Sequence, residues 1–325
     1  MFRVGVTSDI VGEDGRLVYD LSLLDGRPGE VAWGVIVGHG DELTPEDVAP
    51  YDAIVLFHPR VSRSTLAGEQ VPRLIARLGV GVDNIDVPAC TERGVLVTTT
   101  PDSVRRPLAS GIMAFVLALA HRLPEMDRHM REGGFDRFAH VGLGLRGRAL
   151  GIVGVGNVGR DVVELARPFG LRILAADPYA DPASLPAGVE LTTLEDLLSS
   201  VDFVVVLCPL TEETRGLIDA ARLAVMHPDA FLINVARGPI VDQAALTETL
   251  RERRIAGAAL DVFEHEPLAP DDPLRSLDNV ILSPHGLALT DELFREGGAS
   301  VSRSVLAVAA GEVPEFTLNR AALGL

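Results

Sequence analysis

The chain lacks lysine, so all 29 of its basic residues are arginine. This absence excludes Schiff-base catalysis and the lysine of a phosphate-binding loop. Cysteine is scarce too, and Cys90 and Cys208 stand far apart in apolar surroundings, without a CxxC spacing. We therefore predict two free thiols. Acidic residues outnumber basic ones, which gives a net charge of −17. A surface of that sign repels nucleic acid and anionic lipid.

Long hydrophobic runs are missing as well. No early apolar stretch carries a basic front and a small-residue cleavage site, and the longest apolar runs are short or interrupted by charge. We therefore expect a cytoplasmic protein that is neither exported nor inserted in a membrane. Apolar content is plentiful, however: 47% of the 325 residues are hydrophobic, which predicts two domains with a large buried interior.

Six short apolar runs follow one another from about residue 149, separated by helix-like or turn-rich segments. Runs that are apolar on both faces are typical of parallel strands covered by helices. The pattern predicts a doubly wound α/β sheet, which binds its ligands at the carboxyl ends of the strands. The six runs are ALGIVGVG, LRILAAD, VDFVVVLCPL, AFLINVARG, IAGAALDVF and NVILSPH.

The first hundred residues repeat this alternation more weakly and predict a second, smaller α/β domain. Its candidate strands are FRVGVTSD, AWGVIVGH, DAIVLFHP, RLIARLGVG and GVLVTTT. Residues 107–134 begin with proline and have an apolar first half, which predicts one long connecting helix. Its apolar half would pack either on a partner subunit or within the chain. Residues 290–311 also have a helical pattern, and we expect the tail to return to the first domain.

A glycine-rich motif, GIVGVGNVGRDV, places Gly154, Gly156 and Gly159 in a G-x-G-x-x-G spacing between a predicted strand and a predicted helix. Such glycines allow a tight turn and let a pyrophosphate approach the helix N-terminus. Asp177 follows at the end of the next apolar run, where a carboxylate would bind the adenosine ribose and repel a 2′-phosphate. Glycines used for packing and an aspartate used as a helix cap are the alternative. The combination favours a dinucleotide site.

Three ionisable features follow later strands of the same predicted sheet: Arg237 in NVARGPIVD, the EHE triplet in LDVFEHEP, and His285 in LSPHG. Singly, such an arginine often forms a salt bridge and such a histidine often lies in a core. Together they suit acid–base chemistry on an anionic substrate, with a fork for a carboxylate, a proton carrier and a carboxylate that orients it. The triplet could also be a metal site or a solvated strand end. Against metal, Glu264 and Glu266 would face away from His265 on a strand, and no other His-rich or Cys-rich set is present.

The order of these motifs resembles that of the D-isomer-specific 2-hydroxyacid dehydrogenases, which include glycerate, phosphoglycerate and D-lactate dehydrogenases. The resemblance runs from about residue 50 to 290 and rests on GVGVDNID, GIVGVGNVG, Asp177, CPLTEETRGLI, INVARGPIVD, AALDVFEHEP and SPHG. It implies an NAD-dependent enzyme that interconverts a 2-oxo acid and its D-2-hydroxy acid. It also implies that Arg237 binds the substrate, that His285 is the acid–base, and that Glu266 rather than Glu264 supports the histidine.

The resemblance further implies which residues contact the cofactor and the substrate. Against NAD it places Gly154, Gly156, Asn157, Val158, Gly159, Asp177, Cys208, Pro209, Val235, Ala236 and Asp261. Backbone groups near Val80 and Gly81 should face the substrate carboxylate. His58 and Arg60 in LFHPRV are candidate specificity residues, or else a surface pair at a strand end.

We predict a Rossmann NAD-binding domain, residues 102–286, inserted in a flavodoxin-like substrate domain formed by residues 1–101 and 287–325. The predicted partners are a small anionic acid and a second copy of the chain, with no nucleic acid, membrane or metal. Two alternatives stay open. One is a formate or phosphite dehydrogenase on the same fold, although a formate site of this fold pairs its histidine with glutamine, not glutamate. The other is a non-catalytic NADH-sensing protein, although all three catalytic residues are present.

The chain departs from the family pattern at three places. GLAL follows His285 where a glycine or alanine pair is usual, Thr99 stands where asparagine is frequent, and Ser110 stands where glutamate is frequent. Because of these departures, the resemblance does not specify which 2-oxo acid is the substrate.

Overall fold

The structure is a computed structural model that describes residues 1–25 and 30–325. The chain divides into two compact units, residues 1–104 with 289–325 and residues 105–288. We call them unit 1 and unit 2. Each unit contains one parallel β-sheet.

Unit 1 contains a five-stranded parallel sheet. Its strands are β1 (Phe2–Thr7), β2 (Val31–Ile36), β3 (Ala53–Leu56), β4 (Leu74–Arg77) and β5 (Leu96–Thr98). Their order is β2-β1-β3-β4-β5, the flavodoxin-like arrangement, so the fold class and the five candidate strands are confirmed. Its short helices are α1 (Ser22–Asp25), α2 (Pro45–Val48) and α3 (Val87–Glu92).

The connecting segment forms two helices, α4 (Pro101–Ala120) and α5 (Leu123–Arg131), so the prediction of one helix beginning at Pro107 is wrong. Pro107 lies inside α4 rather than at its start. The break falls at Arg122, whose φ of 52° is left-handed. Pro124 follows it, and a proline ring would clash with the carbonyl of the preceding turn if the helix continued.

Helix α4 is a core helix of the protein. Among the described residues it is the one helix that is long and apolar enough to cross a membrane, judged by length and composition alone. However, 56% of its 18-residue apolar stretch is buried inside the protein. Ile112 and Val116 of α4 belong to the same buried cluster as Ile152 and Val205. Its apolar half therefore packs within the chain.

Unit 2 contains a seven-stranded parallel sheet. Its strands are β6 (Ala149–Val153), β7 (Arg172–Ala176), β8 (Val189–Leu191), β9 (Phe203–Val206), β10 (Phe231–Asn234), β11 (Gly257–Leu260) and β12 (Val280–Leu282). Their order, β12-β11-β10-β9-β6-β7-β8, confirms the six predicted strands and the doubly wound class. Strand β8 was not predicted because it is a three-residue edge strand with two exposed residues, so it leaves no apolar run in the sequence.

Helices cover both faces of the unit 2 sheet. They include α6 (Asn157–Ala166), α7 (Leu194–Ser200), α8 (Ala220–Ala224) and α9 (Gln243–Arg251). Alternate side chains of β9 enter the two cores: Val204 and Val206 pack in one cluster, Phe203 and Val205 in the other. Burial on both faces stabilises each strand, by about 1.5–3 kcal/mol for each large apolar side chain.

The last helix, α10 (Asp291–Ala309), lies in unit 1 and confirms the helix expected over residues 290–311. The Thr290 hydroxyl caps it by accepting a hydrogen bond from the backbone N–H of Leu293. The tail then reaches β5, where the side chain of Asn319 accepts a hydrogen bond from the backbone N–H of Val97 at 3.1 Å.

Candidate active site

The predicted glycine motif lies where β6 ends and α6 begins. Gly154 has a φ of 91°, and a Cβ atom there would lie 2.6 Å from the backbone nitrogen of Cys208, so only glycine fits. Cys208 follows β9. Strands β6 to β8 extend to one side of the sheet and β9 to β12 to the other, so the strand order switches direction between β6 and β9. A Cβ on Gly156, by contrast, would meet nothing within 4 Å, so the space before the N-terminus of α6 is open. This geometry suits a pyrophosphate at the switch point of the sheet.

A cavity of about 970 Å³ adjoins the glycine turn, and Asp177 forms part of its wall. The Asp177 carboxylate accepts hydrogen bonds from the backbone N–H groups of Val155 and Tyr179, both at 3.0 Å. The carboxylate is thus fixed at the end of β7, the position expected for a ribose-binding acid. The wall also includes Gly154, Tyr179, Thr192, Cys208 and Pro209. The cavity, the close turn and the fixed carboxylate together fit a dinucleotide.

The remaining predicted cofactor residues occupy the same edge of the sheet. Asn157, Val158 and Gly159 form the first turn of α6. Val235 and Ala236 directly follow β10, and Asp261 directly follows β11.

His285 and Glu266 form a hydrogen-bonded pair. Nδ1 of His285 lies 2.7 Å from Oε2 of Glu266, and Oε1 of Glu266 accepts a hydrogen bond from the backbone N–H of Phe263 at 2.9 Å. Both side chains remain open to solvent, with 47% of His285 and 36% of Glu266 exposed. The pair therefore combines a fixed ring orientation with an accessible ring face.

The pKa of Glu266 lies below its ordinary value. Burial favours the neutral acid, but the hydrogen bonds from His285 and Phe263 and the charges of His285 and Arg237 outweigh it. Glu266 is therefore a carboxylate at neutral pH.

Arg237 lies in the turn after β10, half-buried, and its Nη1 donates a hydrogen bond to the carbonyl of Ala236 at 2.7 Å. Its charge acts on the Glu266 carboxylate, so the fold places Arg237, Glu266 and His285 in one electrostatic environment. The three residues come from the ends of β10, β11 and β12, which are neighbours in the sheet.

The expectation that the EHE triplet continues a strand is wrong. Strand β11 ends at Leu260, and residues 261–269 form a loop with Glu264 and His265 exposed. Directly after β11, the side chain of Asp261 accepts a hydrogen bond from the backbone N–H of Gly286. Because the triplet does not lie on a strand, the alternation of side chains along a strand is no argument against a metal site there. Among the described residues, no three His, Cys, Asp or Glu side chains are grouped so that they could hold a metal ion.

The predicted substrate residues lie at the carboxyl end of the unit 1 sheet. The backbone N–H of His58 donates to Oδ2 of Asp9 at 2.7 Å, and its Nδ1 lies 3.3 Å from the same oxygen. Burial raises the pKa of Asp9, but hydrogen bonds from His58 and Thr7 more than offset it, so the net pKa is lowered. Arg60 is exposed after β3, and Val80 and Gly81 follow β4 with 46% of Val80 exposed.

Sequence reasoning missed three polar residues that act on these sites. Tyr179 lines the cavity beside the glycine turn and donates its hydroxyl hydrogen bond to Glu213 at 2.7 Å. The Ser283 hydroxyl donates to the Asp261 carboxylate, and the Asn234 amide binds the turn that carries Arg237. Each of the three lies within three residues of a predicted site residue, and Asn234 and Ser283 also lie within the INVARGPIVD and SPHG motifs.

The fold and the site together define a dinucleotide-dependent dehydrogenase, because one edge of the unit 2 sheet bears a glycine turn at the switch point, an arginine and a histidine–carboxylate pair. A family model described as D-isomer specific 2-hydroxyacid dehydrogenase, NAD binding domain, matches residues 113–286. The chain belongs to the family of D-isomer specific 2-hydroxyacid dehydrogenases and is an NAD-dependent oxidoreductase. The family resemblance and the cofactor prediction are confirmed.

Individual relatives support the same assignment. The chain is 42% identical over 281 residues to a glyoxylate reductase of Korarchaeum cryptofilum, covering 85% of each protein. It is 38% identical over 288 residues to a D-3-phosphoglycerate dehydrogenase of Methanocaldococcus jannaschii, covering 88% of this chain but only 55% of that protein. The crystal structure of D-lactate dehydrogenase from Aquifex aeolicus complexed with NAD and lactic acid superposes with a TM-score of 0.82 at 25% identity, covering 95% of this chain and 96% of that one.

Proposed function

We propose that this protein reduces a small 2-oxo acid to the D-2-hydroxy acid with NADH and catalyses the reverse oxidation with NAD. The observation that carries the proposal is the hydrogen-bonded pair of His285 and Glu266 at 2.7 Å, at the sheet edge that also bears Arg237 and the nucleotide cavity.

Bound NADH would supply the hydride for the carbonyl carbon. Glu266 holds Nδ1 of His285, which leaves Nε2 as the ring atom for the substrate. In reduction the imidazolium gives its Nε2 proton to the carbonyl oxygen, and in oxidation the neutral ring accepts the hydroxyl proton. Glu266 keeps the tautomer and stabilises the charged ring. Arg237 binds the substrate carboxylate with its planar fork.

We propose that unit 2 is the NAD-binding domain and unit 1 the substrate domain. In unit 2, the glycine turn and the first turn of α6 would hold the pyrophosphate, while Asp177 accepts the ribose hydroxyls. Cys208, Pro209, Val235, Ala236 and Asp261 would complete the cofactor contacts. In unit 1, Val80 and Gly81 would offer backbone N–H groups to the substrate carboxylate. His58 and Arg60 would select its side chain, a role supported by their position at the carboxyl end of the sheet.

We also propose a cytoplasmic homodimer. Large exposed apolar side chains are concentrated in residues 123–141, where Leu123, Phe135, Phe138 and Val141 are 59%, 74%, 82% and 67% exposed. Exposed apolar patches of this kind mark protein interfaces. Light scattering after size exclusion should give the mass of a dimer for the native protein and of a monomer for Phe138→Glu.

Steady-state kinetics test the proposed activity. The relative named glyoxylate reductase is matched over 85% of its length, so glyoxylate is the first substrate to try, followed by hydroxypyruvate and longer 2-oxo acids. We expect NADH oxidation with at least one of them and D-configured product. Turnover of formate or phosphite with NAD, or NADH binding without turnover of any 2-oxo acid, would contradict the proposal.

A further inference from the structure

Two loops of unit 2 are joined by a hydrogen bond at the rim of the large cavity. The Tyr179 hydroxyl donates to Oε2 of Glu213 at 2.7 Å, a distance typical of a hydroxyl bound to a carboxylate. The hydrogen bond to Glu213 and the charge of that carboxylate raise the pKa of Tyr179, so its hydroxyl stays a donor throughout the neutral range. Both side chains are exposed and line the cavity of about 970 Å³. We call this hydrogen bond the rim bridge.

The order of the strands determines what the rim bridge spans. Tyr179 lies in the loop after β7, and Glu213 lies in the loop after β9. Strand β6 lies between β9 and β7 in the sheet, so these two loops flank the glycine turn at the end of β6. Gly154 of that turn lines the same cavity. The rim bridge therefore joins the two sides of the cavity across the end of β6.

The cavity wall indicates which part of a dinucleotide would lie beside the rim bridge. Much of the wall is apolar, and it includes Val153, Ala176, Leu194 and Leu217. Among the described residues that line the cavity, the ionisable ones other than Tyr179 and Cys208 are Asp177, Glu195, Glu212, Glu213 and Arg222. Four of these five are acidic, and the arginine is paired with Glu195 at 3.1 Å. Such a wall repels a phosphate and suits an uncharged base and sugar, which in NAD is the adenosine end.

A second link joins the same two sides of the cavity. Nη2 and Nε of Arg222, in α8, donate to Oε1 of Glu195, in α7, at 3.1 and 3.3 Å. Nη1 of Arg222 also donates to the carbonyl of Leu217 at 2.9 Å. The rim bridge consists of one hydrogen bond between two exposed side chains, so it is the weaker of the two links.

The backbone is fixed at both ends of the rim bridge. The backbone N–H of Tyr179 donates to Oδ1 of Asp177 at 3.0 Å. Beside Glu213, the hydroxyl of Thr214 donates to the carbonyl of Pro209 at 2.6 Å. Because 80% of Tyr179 is exposed, its side chain can rotate without displacing packed neighbours. The rim bridge can therefore open by side-chain rotation while both loops keep their backbone conformation.

We propose that the rim bridge gates the adenosine end of the cofactor, so that Tyr179 and Glu213 set the rates at which NAD and NADH enter and leave the cavity. The inference rests on the proposed function, which places the ribose hydroxyls at Asp177 in this cavity. The bridge links two protein groups and so forms with or without the cofactor. Breaking it should speed entry and exit alike and leave the dissociation constant nearly unchanged.

Tyr179→Phe tests the gate most directly, because it removes the hydroxyl and keeps the ring. Stopped-flow fluorescence with NADH, followed by displacement with excess NAD, gives both rate constants. We expect association and dissociation each to become about threefold to tenfold faster, the range for one exposed hydrogen bond to a charged group, with Kd within about twofold of native. Glu213→Ala breaks the same bond and should give a similar change. The double variant should be no faster than either, since both remove one interaction.

Glu212→Ala is the matched control for charge. It removes a neighbouring carboxylate of the cavity wall and leaves the acceptor of the Tyr179 hydroxyl in place. The lost negative charge should raise only the association rate constant of the anionic cofactor, and high salt should abolish this effect by screening. Tyr179→Phe changes no charge at neutral pH, so its effect on both rate constants should persist in high salt.

ADP-ribose locates the gate on the cofactor, because it keeps the adenosine end and lacks the nicotinamide ring. Its rate constants, measured by competition with NADH, should increase in Tyr179→Phe by the same factor as those of NADH. An increase for NADH without one for ADP-ribose would overturn the assignment of the gate to the adenosine end.

Three further results would overturn the proposal. The first is native rate constants in Tyr179→Phe. The second is faster dissociation alone, with Kd raised in proportion, which would make Tyr179 a contact of the bound cofactor rather than part of a gate. The third is full additivity of Tyr179→Phe with Glu213→Ala.

The binding measurements separate this proposal from the proposed function, because none of them uses a 2-oxo acid. If the native protein turns over no 2-oxo acid but the rate constants change as expected, the proposed function fails and the gate stands. If the protein reduces glyoxylate but Tyr179→Phe binds and releases NADH at native rates, the gate fails and the proposed function stands.

Discussion

Nδ1 of His285 lies 2.7 Å from Oε2 of Glu266, although 19 residues separate the two in the chain. The other acid of the EHE triplet, Glu264, is exposed in the same loop. Its backbone N–H donates a hydrogen bond to the side chain of Gln243 rather than to any group of the His285 pair. The two glutamates therefore offer a matched comparison.

Glu266→Gln should weaken the charged form of His285, because the amide keeps the shape of the carboxylate without its charge. The pKa of Glu266 is lowered, so the native side chain is ionised throughout the neutral range and loses its charge only as pH falls through that lowered value. Reduction needs the imidazolium, so the alkaline limb of kcat/KM should move to lower pH by about one unit. Glu264→Gln should leave the limb in place. The opposite result for the two variants would show that the wrong glutamate has been assigned.

Arg237→Lys should be a severe change even though it preserves the charge. A lysine ammonium is a point charge and does not reproduce the planar fork that matches a carboxylate. We expect kcat/KM for the 2-oxo acid to fall about 100-fold, which corresponds to the loss of about 3 kcal/mol from hydrogen bonds to charged groups. NADH affinity measured by fluorescence titration serves as the control and should not change. Native kinetics in this variant would rule out a two-pronged contact.

Asp177 should make the enzyme strongly selective for NADH over NADPH. Its carboxylate is held at the cavity wall by the backbone N–H groups of Val155 and Tyr179, so it cannot swing away from a 2′-phosphate. Asp177→Ala should reduce the preference for NADH over NADPH, measured as the ratio of their kcat/KM values, by at least about tenfold, which corresponds to about 1.4 kcal/mol. Comparable efficiency of the native protein with both cofactors would contradict the assignment.

The two thiols should be unreactive in the folded protein. Burial raises the pKa of Cys90 to about 12 and that of Cys208 to about 11, so neither is a thiolate at neutral pH. Disulfide-exchange reagents should label both slowly in buffer and rapidly in concentrated urea. NADH should slow the labelling of Cys208 further, because Cys208 lines the nucleotide cavity, and should leave Cys90 unaffected. Protection of Cys90 alone would place the nucleotide elsewhere.

Local patterns in the sequence were enough for most of the fold. Runs such as ALGIV and FVVV are apolar on both faces because helices cover both sides of a parallel sheet, and each of the eleven predicted strands could be found this way. Strand β8 could not, since an edge strand with exposed side chains leaves no such run. The helix break at Arg122 was missed because the prediction treated residues 107–134 as one continuous helix, although Pro124 marks an interruption.

By itself the sequence determined the glycine turn after β6, the acid at the end of β7 and the family, because these depend on residue types at short, fixed spacings. The family resemblance implied that Glu266 supports His285, but only the tertiary structure shows the contact between them, and it ends β11 at Leu260 so that the EHE triplet lies in a loop. It also showed that Asn234 and Asp261 bind the functional turns. Hydrogen bonds of this kind join the ends of neighbouring strands, whose register and direction exist only once the sheet has formed, so no local pattern in the chain specifies them.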